Sequence, residues 1–192
     1  MKELIKALKK EDIVKTGSFI LTSGKSSDYY FDVKKAIGNP ELLEMMSSLL
    51  AEGIRGKATR EHRERSRNPT EQWPHGHRRM TATCIASIGF GGIPLATAVS
   101  LKLKLPLVMV RNSAKGHGLG KIIEGYVPSS KDKVAVVDDV FSFGTSLEQI
   151  LKQINKTSAK ILGCHVVITC SDKKTHAGIP IYHLIKAEEI ED

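Results

Sequence analysis

The stretch Val134–Ser146, VAVVDDVFSFGTS, carries the residues of this chain best suited to chemistry. Four apolar residues lead into Asp138 and Asp139, and a turn of small residues follows before a helix-forming run. Adjacent carboxylates repel each other unless something positive or hydroxyl-rich engages them, and a ribose diol with Mg²⁺ nearby meets that demand. The turn behind them offers free backbone N–H groups and the positive end of a helix dipole, a ready seat for phosphate. Gly144 lets the backbone approach closely, while Ser142, Thr145 and Ser146 add hydroxyl donors. Taken singly, an Asp pair can cap a turn and the hydroxyls can cap a helix. Apolar run, acid pair and turn in one register make a more specific signal, and it favours a site.

A second group is cationic. Arg111, Lys115, His117 and Lys121 sit among Gly116, Gly118 and Gly120, a composition that predicts a mobile loop. Physically such a loop is a mobile cationic lid.

These groups need a scaffold, and the apolar pattern supplies one. Leu4, Ile5 and Leu8 predict a short opening helix over 2–10, broken by Thr16-Gly17, with a strand from Ser18 that turns at Ser23-Gly24. A second strand runs through Tyr29, Tyr30 and Phe31. Asn39 as N-cap and Pro40 in the first turn start a helix to about Gly53. Further on, CIASIGF is expected as a strand, GGIP as a turn, and Pro94–Leu103 as a helix. Strands over LPLVMV, KVAVVDDV, ILGCHVVITC and IPIYHLIK follow, with a helix from Thr145 to about Asn155. Buried strands alternating with helices predict an α/β fold with a parallel sheet covered on both faces.

Composition bounds the rest. The chain has 192 residues, enough for one domain, and a net charge of +8. Residues 55–80 hold seven of the eight arginines and a net +5, leaving +3 for the remainder. From Arg55 to Cys84 there is no Ile, Leu, Val or Phe, so this stretch lacks the apolar surface to offset its ordering entropy. Neither a regular basic face nor interleaved aromatics supports a nucleic-acid arm there. The dipeptide Ala-Thr flanks the segment at 58–59 and 82–83. Residues 60–83 are therefore expected to be a disordered or foreign Arg-rich interruption of a single domain spanning 1–192. Three cysteines without metal-like spacing (Cys84, Cys164 and Cys170) predict buried thiols in a reducing cytoplasm. No apolar run is long enough to span a membrane, and the N-terminus lacks the pattern of a signal peptide.

The Asp-pair segment resembles the phosphoribosyl-pyrophosphate (PRPP) signature of type I phosphoribosyltransferases, and three further segments resemble the orotate phosphoribosyltransferase family. SFILTSGKSSDYYFD (18–32) is similar to that family's base-covering element, IGFGGIPLATAVS (88–100) to its pyrophosphate loop and helix, and VRNSAKGHGLGKIIEG (110–125) to its catalytic loop. The resemblance implies a type I phosphoribosyltransferase fold: a mainly parallel sheet flanked by helices, a small N-terminal hood and a flexible catalytic loop. It implies transfer of the phosphoribosyl group of PRPP to orotate, giving orotidine 5′-monophosphate and pyrophosphate in pyrimidine (UMP) biosynthesis. It further implies Mg²⁺ carried mainly by PRPP with no dedicated protein ligand, and a homodimer whose loops act in trans.

Residue by residue, the resemblance makes Lys115, His117, Asp138 and Asp139 catalytic. It gives PRPP to Arg111, Lys115, His117, the acid pair and the turn Val140, Phe141, Ser142, Phe143, Gly144, Thr145 and Ser146. Phe90, Gly91 and Gly92 form the pyrophosphate loop, and Tyr30, Phe31, Ser142 and Lys173 bind orotate. The chain departs from the family pattern at three places. Asn112 stands where a Lys is expected, Phe143 replaces a small residue, and Lys173 replaces an Arg. The last change turns a bidentate fork into a point charge. Two other functions compete on sequence alone: transfer to a purine, and a nucleotide-sensing regulator. The TSGKSSDYYFD element argues against the first, and the lack of a helix-turn-helix against the second.

Overall fold

Runs of branched apolar residues form five parallel strands: β3 (Cys84–Ile88), β4 (Leu107–Val110), β6 (Lys133–Phe141), β7 (Lys160–Thr169) and β9 (Ile179–Lys186). Two short antiparallel strands, β5 (Ile123–Gly125) and β8 (Thr175–His176), edge the sheet, whose order is β5-β4-β3-β6-β7-β9-β8. A separate hairpin pairs β1 (Val14–Ile20) with β2 (Ser26–Phe31). The computed structural model describes residues 1–20, 26–56, 82–112 and 122–191.

Helices cover both faces. α1 (Lys2–Lys10), α2 (Val33–Ile37), α3 (Pro40–Ile54) and α4 (Gly89–Leu103) share one hydrophobic cluster, which takes Ile85 of β3 with Ala135 and Val137 of β6. α5 (Thr145–Ile154) lies in the other, with Cys84, Ala86, Val134 and Val136. Neighbouring residues of one strand thus feed opposite cores, as the two-residue period of a strand requires. This is why the strands are apolar throughout and do not alternate with polar residues. A short α6 (Glu188–Glu191) ends the described chain. Among the described residues no helix is long and apolar enough to cross a membrane.

Several sequence expectations hold. α1 and α5 lie where expected, and Asn39 caps α3 by accepting from Glu41 N at 3.0 Å and Leu42 N at 3.4 Å. Others are corrected. Thr16-Gly17 does not break a helix; it lies inside β1, where the pairing with β2 shifts register between Thr16 and Phe19. GGIP is not a turn, because α4 begins at Gly89 directly after β3. Cys84 and Cys164 are buried, but Cys170 is exposed, since β7 ends at Thr169 and the chain bends away. The helix α2 and the edge strands β5 and β8 were not anticipated. The expected turn at Ser23-Gly24 and residues 60–81 of the expected interruption lie outside the described residues.

The C-terminal edge of that segment is described, and it is built into the sheet. Thr83 N donates to Lys133 O at 2.8 Å, and its hydroxyl donates to Asp132 at 2.8 Å while accepting from Lys133 N at 2.9 Å. Thr83 is thus an ordered part of the sheet's edge.

Candidate active site

Strand order fixes where a ligand can bind. From β3 the chain crosses to β4 on one side, and β6 then returns to pair with β3 on the other. Diverging connections leave a crevice at the carboxyl ends of β3 and β6, the position at which open α/β sheets bind ligands. Out of β3 comes Gly89-Phe90-Gly91-Gly92, opening α4; Asp138 and Asp139 lie in the C-terminal half of β6.

The two segments touch. A methyl group on Gly91 would overlap the Asp139 carboxylate, and one on Gly92 would lie 2.7 Å from Asp138 Oδ1 and overlap Ser87 Oγ. Ser87, fully buried, donates to Val137 O at 2.7 Å and ties the ends of the two strands together. Glycine is thus required at both positions so that the first turn of α4 can run beneath the acids. GGIP is helical, and its two glycines leave the room that the carboxylates occupy.

The acids are in unlike settings. Asp138 is buried, whereas Asp139 is half-exposed. Burial first, and then the neighbouring Asp139 charge, push the Asp138 carboxyl well above the usual range, and hydrogen bonds from Asp139 N and Ser146 oppose this only in part. Such a site is primed for a hydroxyl or a cation that offsets the crowding.

Next along the chain, Val140 is half-buried and Phe141 buried, so they anchor the turn from below. Ser142, Phe143, Thr145 and Ser146 are half-buried around Gly144, whose φ of +89° leads into α5. α5 has ten residues, and its N-terminal N–H groups open onto this turn.

On the hood, the structure separates two residues expected to act together. Tyr30 is half-buried, while Phe31, 7% exposed, belongs to the core. Phe31 supports the hairpin, whereas Tyr30 keeps part of its side chain exposed. Sequence reasoning missed Lys34, which donates from Nζ to Tyr30 Oη at 2.9 Å and lies 5.5 Å from its ring centre. That hydrogen bond is the main cause raising the Lys34 pKa, and the charges of Asp139 and Asp32 add to it. Lys34 therefore links the hood electrostatically to the acid pair. Its signal was the four-residue spacing from Tyr30 across the β2–α2 junction.

Other expected residues are less convergent. Arg111 pairs through Nη1 with Glu124 Oε1 of β5 at 3.3 Å, and Asn112 is exposed. Phe90 is 93% exposed at the mouth of the crevice, over the buried Gly91 and Gly92. Lys173 is exposed, beyond the end of β7. Lys115, His117 and Lys121 lie outside the described residues. Among the described residues no group of three or more His, Cys, Asp or Glu is placed to hold a metal.

Known proteins give this geometry a context. Residues 49–191 match the family model for the phosphoribosyl transferase domain. The chain is 34% identical over 192 residues to the orotate phosphoribosyltransferase of Pyrococcus furiosus, covering 98% of this chain and 93% of that protein. It is 35% identical over 167 residues to the orotate phosphoribosyltransferase of Methanothermobacter thermautotrophicus, covering 87% and 78% respectively. Among solved structures, the orotate phosphoribosyltransferase from Aeropyrum pernix superposes with a TM-score of 0.70 at 23% identity, over 97% of this chain and 95% of that one. The type I phosphoribosyltransferase architecture expected from the sequence is the architecture present.

Proposed function

The chain belongs to the orotate phosphoribosyltransferase family, and we infer that it transfers the phosphoribosyl group of PRPP to orotate, yielding orotidine 5′-monophosphate and pyrophosphate. One observation carries the assignment to this crevice: the glycines opening α4 lie directly against Asp138 and Asp139 at the switch point of the sheet.

Each element has a task in that reaction. Asp138 and Asp139 accept from the ribose hydroxyls, which removes the penalty of holding two carboxylates together. The turn Ser142–Ser146 and the N-terminus of α5 hold the 5-phosphate. Phe90, Gly91 and Gly92 border the pyrophosphate, with backbone N–H groups at the start of α4 as donors. As the bond from ribose to pyrophosphate breaks, its electron pair leaves on pyrophosphate and positive charge builds on the ribose. The carboxylates stabilise the positive charge on the ribose, and the cationic side chains of Arg111, Lys115 and His117 are assigned to the negative charge on pyrophosphate. Tyr30 and Lys173 contact the base. Lys173 supplies one point charge to the orotate carboxylate, and Lys34 holds Tyr30 in place.

Paired carboxylates are hard oxygen donors of the kind Mg²⁺ accepts, and they fit a metal that arrives on PRPP. Carried by PRPP, Mg²⁺ would neutralise pyrophosphate charge. We further propose a homodimer in which each loop serves its partner's site. Cys84, Cys164 and Cys170 form no disulfide among the described residues, which fits a reducing cytoplasm as the working compartment.

Steady-state rates with orotate, adenine, hypoxanthine and uracil test the assignment. Orotate is the expected substrate by a wide margin, and turnover of a purine in its place would overturn it. For the loops, a Lys115→Ala or His117→Ala variant is mixed with an Asp138→Asn/Asp139→Asn variant. Each is inactive or nearly so alone, and mixing restores partial activity if loops act in trans. No recovery from an exchanged dimer contradicts the shared site.

A further inference from the structure

The edge strand β8 brings a histidine against the phosphate turn. A methyl group on Gly144 would lie 2.6 Å from His176 Nε2, so the imidazole covers that face of the turn. The ring meets Phe141 edge-on, with centroids 5.7 Å apart. Its Nε2 lies 2.9 Å from Glu148 Oε1 in the first turn of α5. A carboxylate only accepts, so Nε2 carries the proton and donates. The His176 side chain is 12% exposed, and that of Glu148 is 62% exposed.

Glu148 raises a problem that His176 answers. A carboxylate in the first turn of a helix is drawn to the positive end of the dipole and stabilises the helix. At a turn that must accept a phosphate dianion, the same charge competes with the ligand for those N–H groups. We propose that His176 is a positioning residue for the 5-phosphate: it walls the turn at Gly144 and holds Glu148 by a hydrogen bond that offsets its charge. This rests on the reading that the Ser142–Ser146 turn seats the 5-phosphate. Gly144 is then required twice, for its positive φ and for the room the imidazole occupies.

Four variants of the full chain test it by steady-state kinetics with PRPP and orotate. His176→Phe keeps a ring against Gly144 and Phe141 but removes the donor. It is expected to raise KM for PRPP by about three- to tenfold, with kcat and KM for orotate within about twofold, as fits one partly exposed charge. Glu148→Gln alone should leave KM for PRPP at or below the wild-type value. The double variant should return KM for PRPP to within about twofold of wild type, because no charge is left to offset. Persistence of the His176→Phe defect in the double variant, or a raised KM in Glu148→Gln, overturns the proposal. If His176→Phe does not fold, His176→Leu, which likewise lacks the donor, replaces it in the same comparison with Glu148→Gln and the double variant. Thr145→Ala separates the two levels of the account. A raised KM for PRPP in Thr145→Ala beside an unchanged His176→Phe rejects only the role of His176. No change in either variant rejects the phosphate seat itself.

Discussion

At its entry, strand β6 follows an acid that the fold has fully provided for; at its exit stand two that it has not. Asp132 accepts from Ser129 N at 2.7 Å, Ser129 Oγ at 2.9 Å, Tyr126 Oη at 3.1 Å and Thr83 Oγ1 at 2.8 Å. These bonds, led by the Ser129 N–H, hold its carboxyl down at about 2. Asp138 is more deeply enclosed, beside another carboxylate, and its carboxyl is driven the opposite way. A carboxylate that serves the fold is surrounded by donors, whereas one that serves a ligand is left short of them until the ligand arrives.

The largest expected effect falls at the exit of β6. Asp138→Asn with Asp139→Asn should lower kcat/KM by about a thousandfold or more, since transition-state charge stabilisation is lost. The melting temperature should not fall. Near-normal turnover would place the ribose elsewhere.

Asp132→Ala should do the reverse. It strands several donors, and each kcal/mol of lost stability corresponds to about 2–4 °C in a domain of this size. The melting temperature drops, while kcat stays within about twofold of wild type. In wild-type protein the Asp132 contribution is present above the ordinary carboxylate range and is lost as pH falls through about 2. An acid titration of stability on wild type and Asp132→Asn checks the sign: only the wild type loses this increment on acidification.

Smaller still is the effect expected of the Arg-rich segment. Joining Thr59 to Cys84 puts Ala58-Thr59 where Ala82-Thr83 stands, so an equivalent hydroxyl can reach Asp132 and Lys133. Melting temperature within about 2 °C of the full chain and unchanged kcat/KM are expected, because a segment without an apolar face adds little to a core. A large loss in either would show that residues 60–83 belong to the working protein. The same junction with Val in place of Thr59 measures what the hydroxyl contributes, about 1 kcal/mol for each of the two hydrogen bonds.

What the sequence disclosed follows the same division. The strand β6, its acid pair and the turn into α5 were legible because all of their determinants are neighbours in the chain. The start of α4 was misread, because glycine and proline are local turn signals. The reason for Gly91 and Gly92 lies across the crevice, in Asp138 and Asp139. The resemblance gives both Tyr30 and Phe31 to the base, but successive strand residues face opposite ways, and Phe31 packs in the core. The edge strands β5 and β8, three and two residues long, are too short to show a period. With β8 missed, His176 had no reason to be placed near Gly144. Thr83 looked like the tail of an unstructured segment, since its partners Asp132 and Lys133 are distant in sequence.

The central claim is that the acid pair is unfavourable to the fold until PRPP engages it. A raised carboxyl pKa favours the native state at low pH, and that advantage is lost as pH rises through the folded value, so at neutral pH Asp138 weighs against stability. Thermal unfolding of wild type and Asp138→Asn, with and without Mg²⁺-PRPP at neutral pH, tests this directly. Without PRPP, Asp138→Asn should melt above wild type; with PRPP, wild type should rise markedly and the variant little. A variant that melts below wild type without ligand, and gains as much from PRPP as wild type does, would contradict the account.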